Sequence, residues 1–148
     1  MLCQFVQVFV ALFIIKDDKL LLVEHTKQQE TFYTLVGGKV EPGELCKQAA
    51  IREADEEAGI IIQDEHLVFA HAISRKIDAH TSSLVIFFQV TDWSGKPFNH
   101  EPSKHTEVAW HSIEQLPLSL RPHHKQALEL WKDTVYYSEY VPHVLSKL

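Results

Sequence analysis

The chain has little of what secreted, fibrous or membrane-spanning proteins are built from. Only two of its 148 residues are cysteine, Cys3 and Cys46. Two cysteines make no disulfide scaffold and have no metal-type spacing, so a reducing compartment, the cytoplasm, is expected. Five glycines and six prolines are too few for a collagen-like or low-complexity chain. Net positive charge is absent. A formal charge of −6 argues against gripping duplex nucleic acid by its phosphates. It does not argue against a phosphate substrate, because a metal ion can bridge two negative partners. No apolar run approaches the ~20 residues of a membrane span. The run Val8 to Ile15 also lacks the basic start and small-residue cleavage site of a signal peptide, and reads as a buried strand. No membrane partner is expected.

What remains is an ordinary globular balance, 45% hydrophobic and 23% charged. The length suits a single domain over residues 1–148 with one core. The pattern predicts a hairpin over residues 4–24, turning at Lys16-Asp17-Asp18-Lys19. Thr26 to Glu30 reads as a loop, and Thr31 to Val36 as a short strand stopped by Gly37-Gly38. Glu44 to Ala58 contains no Gly or Pro and reads as a helix ended by Gly59. Strands are expected at Leu67 to Ser74, Leu84 to Val90 and Val108 to His111, with a loop from Gly95 to Lys104. Pro122 opens a helix running to about Lys132. The aromatic tail from Tyr136 to Leu148 has no assigned element. This order implies an α+β fold with helices on both faces of a mixed sheet.

One segment carries chemistry. Glu53, Glu56 and Glu57 stand at i, i+3 and i+4 of the first helix, within about one 100° arc. Ala50, Ile51, Ala54 and Ala58 form a neighbouring stripe, small enough to let the helix lie close to the sheet. Like charges at these spacings each cost roughly 0.2–0.5 kcal/mol, and no Lys or Arg stands four residues on to offset them. Acids near a helix C-terminus also oppose its dipole. A divalent cation resolves both conflicts, and hard oxygen ligands suit Mg²⁺ or Mn²⁺. Arg52, beside Glu53 and four residues before Glu56, can hold a carboxylate in fixed direction.

In full, the segment reads Gly38, five residues, Glu44, seven residues, then Arg52-Glu53-Ala54-Asp55-Glu56-Glu57-Ala58-Gly59-Ile60. This resembles the Nudix box, G-x5-E-x7-R-E-U-x-E-E-x-G-U, with U a bulky apolar residue. Every fixed position matches; Ala54 is small where a larger aliphatic is usual. The flanks are similar too: Leu20 to Val23, Tyr33 to Gly38 with Val36 in place of the usual Pro, and Trp110 followed by Leu116-Pro117.

The resemblance implies a Nudix fold, an α/β/α sandwich around a mixed β-sheet. It implies Mg²⁺-dependent hydrolysis of a nucleoside diphosphate linked to a group X. The implied metal ligands are Glu53, Glu56, Glu57 and the Gly38 carbonyl. Arg52 would orient the glutamates, and Glu44 would hold the loop–helix junction. The general base is Glu53 or the loop acid Glu101, with Glu107 a weaker third choice. Lys39 would meet a phosphate or stand solvated. Tyr33, Phe32, Phe87 and Phe88 would wall the base or fill the core. The stretch Arg75-Lys76-Ile77-Asp78 has neither the Pro of ADP-ribose hydrolases nor the Tyr of dinucleoside polyphosphate hydrolases. By elimination the expectation is a MutT-like nucleoside triphosphate pyrophosphohydrolase. The alternatives are a hydrolase of nucleotide sugars or other such compounds, and a non-catalytic nucleotide-sensing module. The ten histidines are scattered and are expected in surface or satisfied core roles. The apolar N-terminal strand or the aromatic tail offers a homodimer contact, or packs on the core.

Overall fold

The computed structural model describes residues 6–146. In chain order the elements are β1 (Val6–Lys16), β2 (Lys19–Lys27), β3 (Glu30–Lys39), α1 (Cys46–Ala58), β4 (Leu67–Lys76), β5 (Ser82–Val90), β6 (Glu107–Ser112), α2 (Pro122–Lys132), β7 (Tyr137–Tyr140) and α3 (His143–Ser146). The strands form one sheet in the order β6-β2-β3-β1-β5-β4-β7. The β1–β5 and β4–β7 pairs are parallel, and the others antiparallel. The expected mixed sheet and helix-covered faces are both present. The part of the predicted hairpin before Val6 lies outside the described residues.

The β1–β2 hairpin is joined by Asp17 and Asp18, both at positive φ (52° and 60°), the twist that tight hairpins favour. It then splays. β1 and β2 pair only at Ile15↔Leu20 and Lys16↔Lys19. β3 fills the gap, pairing residues 30–35 with β2 and residues 36–39 with β1. The strand therefore changes partner at Leu35–Val36, and the glycines follow at once.

Three sequence expectations are corrected here. Gly37-Gly38 does not stop β3, which runs to Lys39 with both glycines in register with Ala11 and Val10. Their role is close approach: a β-carbon on Gly37 would strike the Val10 carbonyl, and one on Gly38 the Glu53 carboxylate. The loop at Thr26 to Glu30 shrinks to the two-residue turn Gln28-Gln29, at φ 50° and 67°. Its polar flanks belong to an exposed hairpin tip, where ladder pairs Thr26↔Thr31 and Lys27↔Glu30 hold the strands together. In addition, α1 starts at Cys46 rather than Glu44, because Gln48 folds back to accept from the Leu45 N–H at 2.8 Å. The unassigned tail supplies β7, an edge strand on β4.

Two cores sandwich the sheet. On one face the stripe Ala49, Ala50, Ala54 and Ala58 packs against Val10, Leu12, Leu21 and Val36. On the other, Ala127 and Leu128 of α2 cover Phe13, Leu22, Leu35 and Phe87. Among the described residues no helix is long and apolar enough to cross a membrane.

Candidate active site

The alanine stripe sets α1 low on the sheet, which brings its acidic arc to the glycines of β3. Glu57 is buried, 5% exposed, and its Oε1 accepts from the Gly37 N–H at 2.7 Å. Burial holds its carboxyl well above the usual range, against the pull of that amide; the neighbouring carboxylates of Glu53, Glu101 and Glu56 push it up as well. Glu53 is also raised, first by burial.

Arg52 organises the outer side of the cluster. Its Nε and Nη2 donate to the two oxygens of Glu44 at 2.8 and 2.9 Å. Nη1 donates to Glu53 at 2.9 Å and Glu56 at 3.1 Å. Nη2 also reaches the Lys39 carbonyl at 3.1 Å. The paired bonds from Arg52 hold the Glu44 carboxyl down at about 2. Glu44 in turn accepts from the Glu41 N–H at 3.1 Å, tying the loop after β3 to the helix.

The C-terminal end of α1 is closed by two devices. Gly59 adopts the left-handed conformation at φ 64° and donates to the Asp55 carbonyl. The loop of residues 95–105 then folds over it. The Phe98 and His100 N–H groups donate to the Ala58 and Glu57 carbonyls at 3.1 and 3.2 Å, and the Phe98 ring occupies the space a Gly59 side chain would need. The same loop carries Glu101 inward. His105 Nε2 lies 3.2 Å from Glu57 Oε2 and 3.5 Å from Glu101 Oε1, yet its ring nitrogens make no aligned hydrogen bond. Burial lowers the His105 pKa, so the ring between these acids is held toward its neutral form.

A cleft of about 230 Å³ opens beside this cluster. Gly37, Gly38 and Glu57 line it together with Phe9, His25, Leu35 and Val85, and with Arg75, Arg121, His123 and His124. Burial drops His25 to about 4 and His123 to about 3, so both imidazoles are neutral at pH 7.

The structure therefore brings together Glu44, Arg52, Glu53, Glu56, Glu57 and Glu101. It does not bring Tyr33 or Lys39 into the cleft. The Tyr33 hydroxyl donates to Glu24 at 2.8 Å, and its ring meets His111 edge-on. Lys39 lines a separate surface groove beside Val6 to Val8. Phe87 and Phe88 are core. Glu107 starts the edge strand β6, opposite Glu24. The cleft residues Phe9, His25, Arg75, Arg121, His123 and His124 were not legible as a group, since they come from β1, β2, β4 and the start of α2. Only the Arg121-Pro122-His123-His124 run gave a local hint. His71, by contrast, is a satisfied core histidine, bonded to Val135 and Ser138.

Among the described residues no three His, Cys, Asp or Glu side chains already stand in a metal-holding arrangement; Arg52 Nη1 bridges Glu53 and Glu56. The donor set nevertheless fits a divalent cation. It is hard, all-oxygen and acidic, and burial raises the carboxyls of Glu53 and Glu57, a cost that a bound cation would offset.

Comparison with known proteins agrees with the box. The NUDIX domain family model matches residues 6–131, and the chain belongs to the Nudix family. The expectation of Nudix family membership is borne out, and the relatives and neighbours that match include named hydrolases. The NAD-capped RNA hydrolase NudC of Photorhabdus laumondii is 31% identical over 120 residues, covering 81% of this chain and 44% of the relative. The protein of that name from Escherichia coli O157:H7 is 32% identical over the same shares. The chain thus spans less than half the length of these curated relatives. Among solved structures, the MutT NUDIX hydrolase from Burkholderia pseudomallei superposes with a TM-score of 0.74 at 27% identity, covering 83% of this chain and 95% of that one. The E. coli ORF135 protein gives 0.74 at 29% identity, covering 86% and 89%.

Proposed function

We propose that the protein is a Mg²⁺-dependent hydrolase of the diphosphate linkage in a nucleoside diphosphate-X substrate, with Mn²⁺ able to substitute. The observation that carries this reading is the buried Glu57, fixed by the Gly37 N–H in an acidic cluster bordering a cleft. Glu53, Glu56 and Glu57, with the Gly38 carbonyl, would hold the metal. When bound, such a cation neutralises diphosphate oxygens and acidifies water.

The chain's own groups do the rest. Arg52 aims Glu53 and Glu56, and Glu44 holds Arg52 in place. Gly37 and Gly38 let backbone approach the reacting phosphates. Glu53 and Glu101 are the two candidate proton acceptors, Glu101 being carried to the site by its loop and facing Glu57 across His105.

For the substrate, the first reading is a MutT-like nucleoside triphosphate pyrophosphohydrolase, giving a monophosphate and pyrophosphate. The Burkholderia neighbour named MutT, matched over nearly its whole length, supports it. A second reading is a larger nucleoside diphosphate-X compound, favoured by the NudC relatives. We read residues 1–148 as one such domain acting on small nucleotides in the cytoplasm, free or as a homodimer. The test is a Mg²⁺-dependent hydrolysis screen over triphosphates, nucleotide sugars, ADP-ribose and dinucleotides, with Glu57→Gln as control. Turnover lost in the variant supports the reading. A folded, metal-loaded wild-type protein that turns over none of them overturns it in favour of a nucleotide-sensing module.

A further inference from the structure

The cleft that Glu57 borders is also lined by two arginines that the hydrolysis itself does not use. Arg75, on β4, is partly buried and donates to Ser83 Oγ at 3.2 Å and His123 Nε2 at 3.3 Å. Both acceptors are neutral. Arg121, just before α2, lies with its guanidinium 3.9 Å over the Phe32 ring, and Phe32 is itself stacked flat on His25 at 4.8 Å. Among the described residues neither arginine has a carboxylate within 4.0 Å. Arg52, by contrast, is surrounded by acids. Like charges are therefore gathered without a counter-charge, and burial together with Arg121 lowers the pKa of Arg75.

The same pair also borders a second groove with Pro122, His123, Tyr140 and Pro142. The surrounding imidazoles are neutral and add no competing charge. Leu35 N–H donates to His124 Nδ1 at 3.1 Å, which leaves the His124 proton on Nε2 as a further donor. A neutral base seated here would cover two guanidinium charges without supplying a counter-charge. A phosphate neutralises both and matches their forked donors.

We propose that Arg75 and Arg121 form a phosphate-binding pole of the cleft, taking a phosphate group carried by the part of the substrate remote from its scissile diphosphate. The second half of this statement rests on the hydrolase reading above; the first half does not. The substrate class it selects is a nucleoside diphosphate-X compound bearing an additional phosphate on its ribose or on X.

Two arms test it. In the first, without metal and with EDTA, calorimetry compares adenosine with adenosine 2′-phosphate, 3′-phosphate and 5′-phosphate. The wild type binds at least one monophosphate tenfold or more tighter than adenosine, and Arg121→Gln and Arg75→Lys each cut that ratio at least fivefold. Arg121 is exposed, so its substitution leaves the core intact; a thermal melt checks Arg75→Lys. A wild-type ratio near one, or a ratio unchanged in Arg121→Gln, overturns the pole. In the second arm, kcat/KM is compared for dinucleotides with and without a 2′-phosphate and for coenzyme A with and without its 3′-phosphate. A preference of tenfold or more for one phosphorylated member, reduced in the variants through KM, supports the substrate assignment. No preference, with inorganic phosphate competing in the first arm, means that the pole takes free phosphate and overturns that assignment. Absence of all turnover while the first arm succeeds overturns the hydrolase reading and leaves the pole standing.

Discussion

Replacing Arg52 by lysine keeps the charge and removes the fork. The guanidinium donates to five acceptor oxygens, two on Glu44 and one each on Glu53, Glu56 and Lys39. An ammonium has three protons, so at least two of these bonds are lost. Charge-assisted hydrogen bonds contribute roughly 1.5–3 kcal/mol each. The Arg52 side chain is 23% exposed and Glu56 47%, which places the loss at the low end of that range. Arg52→Lys is therefore expected to lose about 2–3 kcal/mol of stability, and for a chain of this length Tm falls by about 5–10 °C. Glu53 and Glu56 also lose their common guide, so Mn²⁺ affinity drops about 10–100-fold. Calorimetric melting and a Mn²⁺ titration measure the two effects on one preparation. A variant that melts within 1–2 °C of wild type (about 0.5 kcal/mol) and binds Mn²⁺ equally well would refute the account of Arg52 as the hub of the site.

Glu57→Gln separates the cost of a buried acid from its use. The folded-state pKa of Glu57 is raised, so its contribution to stability is full below the unfolded value and is lost as pH rises through the folded one. The metal-free variant should therefore melt above wild type at pH 7.5, by about 2 °C or more, lose that advantage near pH 4, and show no Tm gain with Mg²⁺. His25 and His123 run the other way: their folded pKa values of about 4 and 3 lie below the unfolded value, so stability declines as pH falls from about 6.5 toward 3. His123→Gln should flatten that decline in denaturant titrations across the window, and an unchanged slope would count against burial as the cause. Gly38→Ala places a methyl against the Glu53 carboxylate and should cost about 1–3 kcal/mol, with a loss of Mn²⁺ affinity out of proportion to the loss of stability.

The acidic site was legible because its chemistry is local. Glu53, Glu56 and Glu57 share a helix face whatever the helix packs on, and Arg52 lies within reach of all but Glu57 on the same turns. Glu101 could be named from its loop, although nothing in the sequence indicated that His105 would stand between it and Glu57. The arginine pair was illegible for the opposite reason. Arg75 and Arg121 are 46 residues apart in the chain, and only the placement of β4 beside β5, with α2 laid across that face, brings them to one cleft. Gly37-Gly38 was misread because two glycines usually interrupt a strand. Here they keep the ladder and are small because β1 and Glu53 press against them.

The loop over the end of α1 behaves as part of the machinery while lying on the surface. Surface connections ordinarily absorb insertions at little cost. This one is anchored at three points: at the helix carbonyls through Phe98 and His100, at Gly59 through the Phe98 ring, and at the acids through Glu101 and His105. Its length is thereby set to within a residue or so between Phe98 and His105. A single inserted residue there would shift Glu101 out of register with the helix by up to about 3.5 Å, more than a hydrogen bond's length. Insertions in this segment are therefore expected to be tolerated only before Phe98, and an engineered tag or graft at its tip would silence the site without unfolding the protein.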